Sequence, residues 1–369
     1  MNSLLNTEES WNTYCMREIA LLTPILSKYG YTLDTEQPHT KGERFLMQAI
    51  TTTSGKKLIL LGRNTDGIRV VIKATRDEAG IRELTHEHLC RDVLEKIDFA
   101  ASVFHSPEEV AYLHESGFVV AITRYVEQTS TFLDRRIEEQ YARALSAFKG
   151  QESAHATTFN HRALITDTFG IRTVETYLLM FSSFLENVIQ TLHEEKELHE
   201  RLKAALELLT RNKISIEQYC SFLTHTDFVP HNIRIEGDTM YLLDHSSLTF
   251  GNKYEGWARF LNFMTLYNPP LERALTAYVR ENRTPEESVS LRMMRIYRLG
   301  EIIWYYIRTL DASSGDLLQL NRARIFFWSD VLASILKDEA VPTSLVEGYK
   351  AKRDSLRSED EKKRQQGLH

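Results

Sequence analysis

Thr224-His225-Thr226-Asp227-Phe228-Val229-Pro230-His231-Asn232 is the densest polar cluster in the chain, and Leu242-Leu243-Asp244-His245 follows it after a short interval. Phe222 and Leu223 precede the cluster, and Ile233 and Ile235 come after it. Such apolar flanks put the polar residues at the ends of buried strands, where an unpaired Asp or Asn is costly. Ile233-Arg234-Ile235 and Met240 to Leu243 flank Glu236-Gly237-Asp238-Thr239, which reads as a hairpin turn. Asp227 and Asn232 therefore share one loop, and Asp244 ends the strand that follows. This arrangement can gather one free carboxylate and two oxygen ligands for Mg²⁺ around a phosphate.

Upstream, the sequence predicts a helix over about Ser10 to Lys28 stopped by Gly30, and then a period of two. Phe45 to Ile50, Leu58 to Leu61 and Ile68 to Ala74 read as strands. Thr51-Thr52-Thr53-Ser54-Gly55-Lys56 and Asn64-Thr65-Asp66-Gly67 are their turns. A helix over about Glu78 to Ile97 carries Leu84, Glu87, Leu94 and Ile97 on one side, and Val110 to Leu113 with Phe118 to Ile122 forms another hairpin. Lys73 is charged inside the apolar run Val70-Val71-Ile72-Lys73-Ala74 and calls for an acidic partner. Glu87 is the first candidate and Glu83, one turn earlier, the second. The remainder reads as mostly helical, over Phe132 to Phe148, Thr173 to Leu209 and Glu255 to Leu345. A charged, disordered tail is expected over 351–369.

H-x-D-x-x-x-x-N, a hairpin, then an apolar pair and Asp resembles the catalytic signature of the protein-kinase-like fold, in the version of the aminoglycoside phosphotransferase and choline kinase family. V-V-I-K at Val70 to Lys73 resembles that fold's third-strand lysine motif. Gly251-Asn252-Lys253-Tyr254-Glu255-Gly256-Trp257-Ala258-Arg259 looks like a worn form of the family's G-D-P-x-x-D-L-A-R. The departures are Thr226 for Gly, Val229 for His, and Asn252 and Gly256 where Asp is usual. The resemblance spans roughly residues 45 to 310 and implies an α+β, two-lobed fold. Residues 1–123 would form an N-lobe with a small antiparallel sheet, and residues 124–350 a mainly α-helical C-lobe. It further implies ATP and Mg²⁺ as cofactors and γ-phosphoryl transfer to a hydroxyl of a small molecule such as an amino alcohol, amino sugar or sugar. Asp227 would be the catalytic base, Asn232 and Asp244 the metal ligands, and His225 a support of the loop. Lys73, fixed by Glu87, would meet the α/β-phosphates, Ser54 and Gly55 would lie over the phosphates, and Thr123, Tyr125 and Val126 would line the adenine. Thr226 stands where regulated protein kinases carry Arg, which favours a small-molecule acceptor over an activation-loop switch.

Composition agrees with a soluble globular chain. The 369 residues are 42% hydrophobic and 26% charged, enough for two lobes, and only 16 Gly and 8 Pro favour long helices. A net charge of −6 makes nucleic acid a poor partner. Cys15, Cys90 and Cys220 are far apart and form no disulfide or thiolate-zinc pattern. No membrane span or signal peptide is expected, and the cytoplasm is the expected compartment.

Two other readings stay open on sequence. A catalytically weak kinase-fold protein would bind nucleotide without turnover, and a metal-dependent phosphohydrolase would use His231 and His245 beside Asp227 and Asp244. For the acceptor, Glu301, Trp304, Tyr305 and Arg308 share one helical face and are a candidate pocket wall, a charged surface beside packed aromatics being the alternative. Tyr254, Trp257, Phe260 and Phe263 fit either an aromatic cage for a cation or a buried helix face.

Overall fold

The structure, a computed structural model, describes residues 11–37, 55–99 and 104–357, with 359 and 362. It divides into two compact units, one formed by residues up to 88 with 107–126, the other by 89–106 with the residues from 127 onward. Residues 89–106, expected within the N-terminal lobe, thus belong with the helical unit.

The first unit contains α1 (Trp11–Lys28), β1 (Tyr31–Leu33), β2 (Leu58–Asn64), β3 (Arg69–Thr75), the start of α2 (Glu78–Lys96), β4 (Glu109–Glu115) and β5 (Phe118–Arg124). The strands form one antiparallel sheet in the order β1-β2-β3-β5-β4. Strand periodicity sorts its side chains: Leu58, Leu60, Val70, Ile72, Ala74, Val120 and Ile122 cluster with Leu22, Ile25 and Leu26 of α1. Lys73 has the opposite parity in β3 and leaves by the other face, in register with Ile59 and Ala121. The turn after β2 is closed by Asn64 Oδ1, which accepts from the amides of Asp66 and Ile68. Strand β1 was not expected; three residues after a helix stop are too few to show alternation. The expected strand Phe45 to Ile50 lies outside the described residues.

In the second unit the helices are α3 (Ile137–Ser153), α4 (His155–Asn160), α5 (Arg162–Phe169), α6 (Val174–Thr191), α7 (Lys196–Arg211) and α8 (Lys213–Glu217), followed by α9 (Tyr254–Tyr267), α10 (Pro269–Asn282), α11 (Pro285–Ile307), α12 (Gly315–Leu336) and α13 (Thr343–Ser355). Between the two sets, β6 (Phe222–His225) pairs with β9 (Leu248–Gly251), and the hairpin β7 (Ile233–Glu236) and β8 (Thr239–Leu242) lies between them in sequence. Among the described residues no helix is long and apolar enough to cross a membrane.

Three expectations are corrected. The helix read over Phe132 to Phe148 begins only at Ile137, because Gln140 Nε2 donates to the carbonyls of Leu133 and Arg135 and holds that segment out of the helix. The helix read over Thr173 to Leu209 is two helices; α6 ends at Thr191, and the His199 ring bonds the Leu192 carbonyl at 2.8 Å across the corner. The tail read as disordered from 351 is helical to Ser355. Val346 and Tyr349 anchor α13, Tyr349 stacking on Phe327, and Lys352 and Arg353 suit the negative end of its dipole.

Helix α11 crosses α6 at Gly300. A Cβ there would lie 2.3 Å from the Phe181 ring, so the close approach requires glycine. Gly300→Ala should cost about 1–3 kcal/mol by overpacking, read as a lowered midpoint in urea unfolding. An unchanged midpoint would show that Phe181 moves aside freely.

Candidate active site

The Asp227 loop hangs from the β6–β9 ladder. Thr226 donates its amide (2.9 Å) and its hydroxyl (2.8 Å) to the Ser247 carbonyl, stitching the loop to the 3₁₀ turn that follows Asp244. Pro230-His231-Asn232 forms one 3₁₀ turn, with Pro at the start where no amide hydrogen bond is lost. The turn swings Asn232 back, and its Nδ2 donates to the Asp227 carbonyl at 3.0 Å and to Asp227 Oδ2 at 2.9 Å. The Leu243 amide donates to the Asn232 carbonyl, while the fully buried His225 ring bonds the Leu243 carbonyl at 2.9 Å. Hydrogen bonds through Asn232 thus couple Asp227 to Leu243, the residue before Asp244, and His225 holds that residue by its carbonyl. Asp244 has φ +62°, a strained geometry for a non-glycine residue that Asp tolerates better than most. Its carboxylate accepts from the Ser246 hydroxyl (2.6 Å) and the Ser247 hydroxyl (2.9 Å). The Asn232 amide turns its nitrogen to Asp227 and keeps Oδ1 for another partner. Together with the Asp244 carboxylate, this is a set of hard oxygen donors that fits Mg²⁺.

Arg259, from α9, donates Nε to Asp227 Oδ1 at 2.7 Å, and the Asp227 side chain keeps 27% exposure. Burial works to raise the Asp227 carboxyl, but the charge of Arg259, with His231, the Arg259 hydrogen bond and Arg298, holds it well below the usual carboxylate range. Behind it, Glu255 is fully buried and takes Arg172, the Tyr177 hydroxyl (2.6 Å) and Arg298 (3.3 Å). Arg298 also pairs with Glu301 at 2.7 Å.

In the first unit, Lys73 Nζ lies 2.7 Å from both carboxylate oxygens of the buried Glu87. Glu83, the other candidate, is taken by Lys57. Gly55 has φ +58°, and a Cβ there would meet the Gly80 amide at 2.1 Å, so this turn is pressed against the start of α2. Asp77 Oδ2 accepts there from the Lys56 and Gly80 amides. Ser54 lies outside the described residues. Thr123 sits within β5, paired with Val71 and Glu109; the Tyr125 amide donates to the Arg69 carbonyl, the Arg69 guanidinium lies 3.9 Å from the Tyr125 ring centre, and Val126 is buried.

The four residues offered as a pocket wall divide into two groups. Glu301 joins the charge network behind Asp227, whereas Arg308 lies over the rings of Trp304 and Tyr305. Tyr254, Trp257, Phe260 and Phe263 are buried, which makes them a core face and not a cage. Sequence reasoning reached Arg259 only as the last residue of a motif and gave it no role. Nothing in the pattern foretold that Glu255, Arg172 and Arg298 would meet.

No family model matches the chain and no curated protein matches it in sequence. Solved structures do match in fold. The aminoglycoside phosphotransferase APH(4)-Ia, in a thermostable mutant, superposes with a TM-score of 0.57 at 14% identity, over 85% of this chain and 97% of that one. A mutant aminoglycoside 2'-phosphotransferase IIIa in its GDP complex gives 0.60 at 12% identity, over 88% and 97%. Macrolide 2'-phosphotransferase type I gives 0.51 at 13%, over 84% and 97%. The chain therefore has the kinase-like α+β fold of these phosphotransferases, with its small antiparallel sheet and its helical part.

The depressed Asp227 carboxyl has a consequence for acid stability. Ionised Asp227 stabilises the fold above its unfolded value of about 3.9, and that contribution is lost as pH falls toward the lower folded value. Arg259→Gln removes the principal opposing cation and should make the fall in stability between about pH 5 and about pH 2.5 shallower. An identical acid limb in urea unfolding would mean that Arg259 does not set the Asp227 charge.

Proposed function

We propose that the protein is a small-molecule kinase, an enzyme that transfers the γ-phosphoryl group of ATP to a hydroxyl in the presence of Mg²⁺. The observation that carries this reading is the coupling of Asp227, Asn232 and Asp244 into one hydrogen-bonded loop system, within the fold of small-molecule phosphotransferases. Solved relatives of that fold include an APH(4)-Ia mutant in a ternary complex with AMP-PNP and hygromycin B, and another with ADP and hygromycin B.

In this reading the ionised Asp227 accepts a hydrogen bond from the acceptor hydroxyl, orients its oxygen for in-line attack and takes its proton as the new bond to the γ-phosphorus forms and the bond to the departing ADP oxygen breaks. Arg259 and Asn232 fix the carboxylate by one oxygen each, so it need not reorganise during transfer. Asn232 and Asp244 would hold Mg²⁺, whose charge offsets that of the phosphates. Lys73, oriented by Glu87, would serve the α/β-phosphates, with Gly55 at the turn above them, and Thr123 to Val126 would receive the adenine. His225 supports the loop from beneath.

The hydrolase alternative needs a convergent metal set. Among the described residues no group of three or more His, Cys, Asp or Glu side chains offers one, and the His245 ring faces the Phe104 carbonyl. The reading is tested by assaying the full chain with ATP and Mg²⁺ against amino alcohols, amino sugars, sugars and nucleosides. Asp227→Asn should keep nucleotide affinity while turnover falls by about 10²-fold or more. Undiminished turnover would remove Asp227 from the chemistry. Asp244→Ala should abolish the Mg²⁺ dependence of nucleotide binding; a wild-type Mg²⁺ titration in that variant would make Asp244 a structural residue.

A further inference from the structure

The side chains around Asp227 restrict what charge an acceptor can bring. Asp244 accepts from the Ser246 and Ser247 hydroxyls, but the three other acidic groups there already hold a cation. Asp227 takes Arg259, the buried Glu255 takes Arg172 and Arg298, and Glu301 takes Arg298. A polyammonium acceptor needs carboxylates free to pair with its amines, and these three are engaged. The cations, in contrast, have hydrogen-bonding capacity left. Arg259 uses only Nε on Asp227, and among the described residues its two terminal nitrogens have no hydrogen-bond partner, while its side chain is 21% exposed. Arg298, buried with Glu255 and Glu301, has an Nε without a partner. His231 and Arg298 both add positive potential at Asp227.

Guanidinium is a planar fork. When Nε is held by one carboxylate, the terminal nitrogens remain aligned for a second carboxylate or a phosphate, bound by two parallel hydrogen bonds. We propose that the acceptor is an anionic hydroxylated molecule, such as a hydroxy acid, sugar acid or sugar phosphate, whose acidic group docks on the terminal nitrogens of Arg259 while its hydroxyl meets Asp227. The proposal rests on the phosphotransferase reading and narrows its acceptor. One guanidinium would then do two jobs, holding the base in place and setting the distance from the acceptor's anion to the hydroxyl that reacts. Arg259 is accordingly a specificity-determining residue, and amino sugars of the kind bound by APH(4)-Ia would be poor ligands.

The test uses three probes of matched size, D-gluconate, D-glucose and D-glucosamine, titrated calorimetrically into the full chain with and without AMP-PNP and Mg²⁺. Gluconate should bind at least about tenfold more tightly than glucose, and glucosamine no better than glucose. Arg259→Gln should erase the gluconate preference, and Arg259→Lys should restore part of it by keeping the charge without the fork. AMP-PNP affinity should be the same in all three proteins, which also shows that the variants are folded. Absence of a gluconate preference in the wild type, undetectable binding of all three included, overturns the proposal. So does a preference that survives Arg259→Gln. Failure of AMP-PNP to bind the wild type would instead strike at the phosphotransferase reading, and the nucleotide-free titrations would still decide the anion site.

Discussion

The carboxylate of Glu255 is the interaction on which the helical unit and its site depend. It is fully buried at the start of α9, and an isolated carboxylate there would be intolerable. Arg172 comes to it from the segment before α6, Tyr177 from the first turn of α6, and Arg298 from the middle of α11. The Tyr177 hydroxyl also accepts the Asn252 amide, so the turn into α9 is tied to the same centre. Removing Glu255 would take from Arg172 and Arg298 the buried carboxylate they share, and breaking a buried pair costs about 3–5 kcal/mol. The network therefore fixes the rotation of α9, and with it the direction in which Arg259, one turn further along, presents its guanidinium to Asp227.

Much of this was legible in the chain. Lys73 read as a charge that needed a partner because it interrupts an apolar strand, and its contact with Glu87 follows from strand parity and helix periodicity together. The loop from His225 to Asn232 and the hairpin beyond it were visible because turn residues and apolar strands alternate there at short range. Spacing ranked Glu87 first and left Glu83, one turn earlier, as the second choice; in the structure Lys57 takes Glu83 and Glu87 is the buried partner of Lys73.

What stayed hidden has a common physical cause. Glu255, Arg172 and Arg298 are 43 to 126 residues apart in pairs of which no local pattern takes notice, since a buried ion pair leaves no periodicity. The corner between α6 and α7 was missed because the helical stripe resumes after only a few residues, so a bent pair reads like one straight helix. In the last helix, charge was read as disorder, although two apolar anchors suffice to hold charged residues on the outer face. Tyr254, Trp257 and Phe260 were ambiguous between cage and core, because both uses select aromatic residues at helical spacing.

The departures from the quoted motifs fall on residues that hold the Asp227 loop, while Asp227, Asn232 and Asp244 keep their places in it. Asn252 keeps a turn-closing role with a neutral side chain: Oδ1 accepts the Tyr254 amide, and Nδ2 reaches the Ile216 carbonyl and the Ser290 hydroxyl. At Gly256 a Cβ would lie 2.7 Å from the His225 carbonyl, so α9 packs against β6 more closely than any side chain at that position allows. Thr226 adds a hydroxyl anchor to Ser247 where glycine has none. The Asp, Asn and second Asp of such a loop can be held in fixed relation by many different packings. Supports can consequently be exchanged one by one while the geometry persists, which is why likeness survives in the fold at 12–14% identity when no sequence match does.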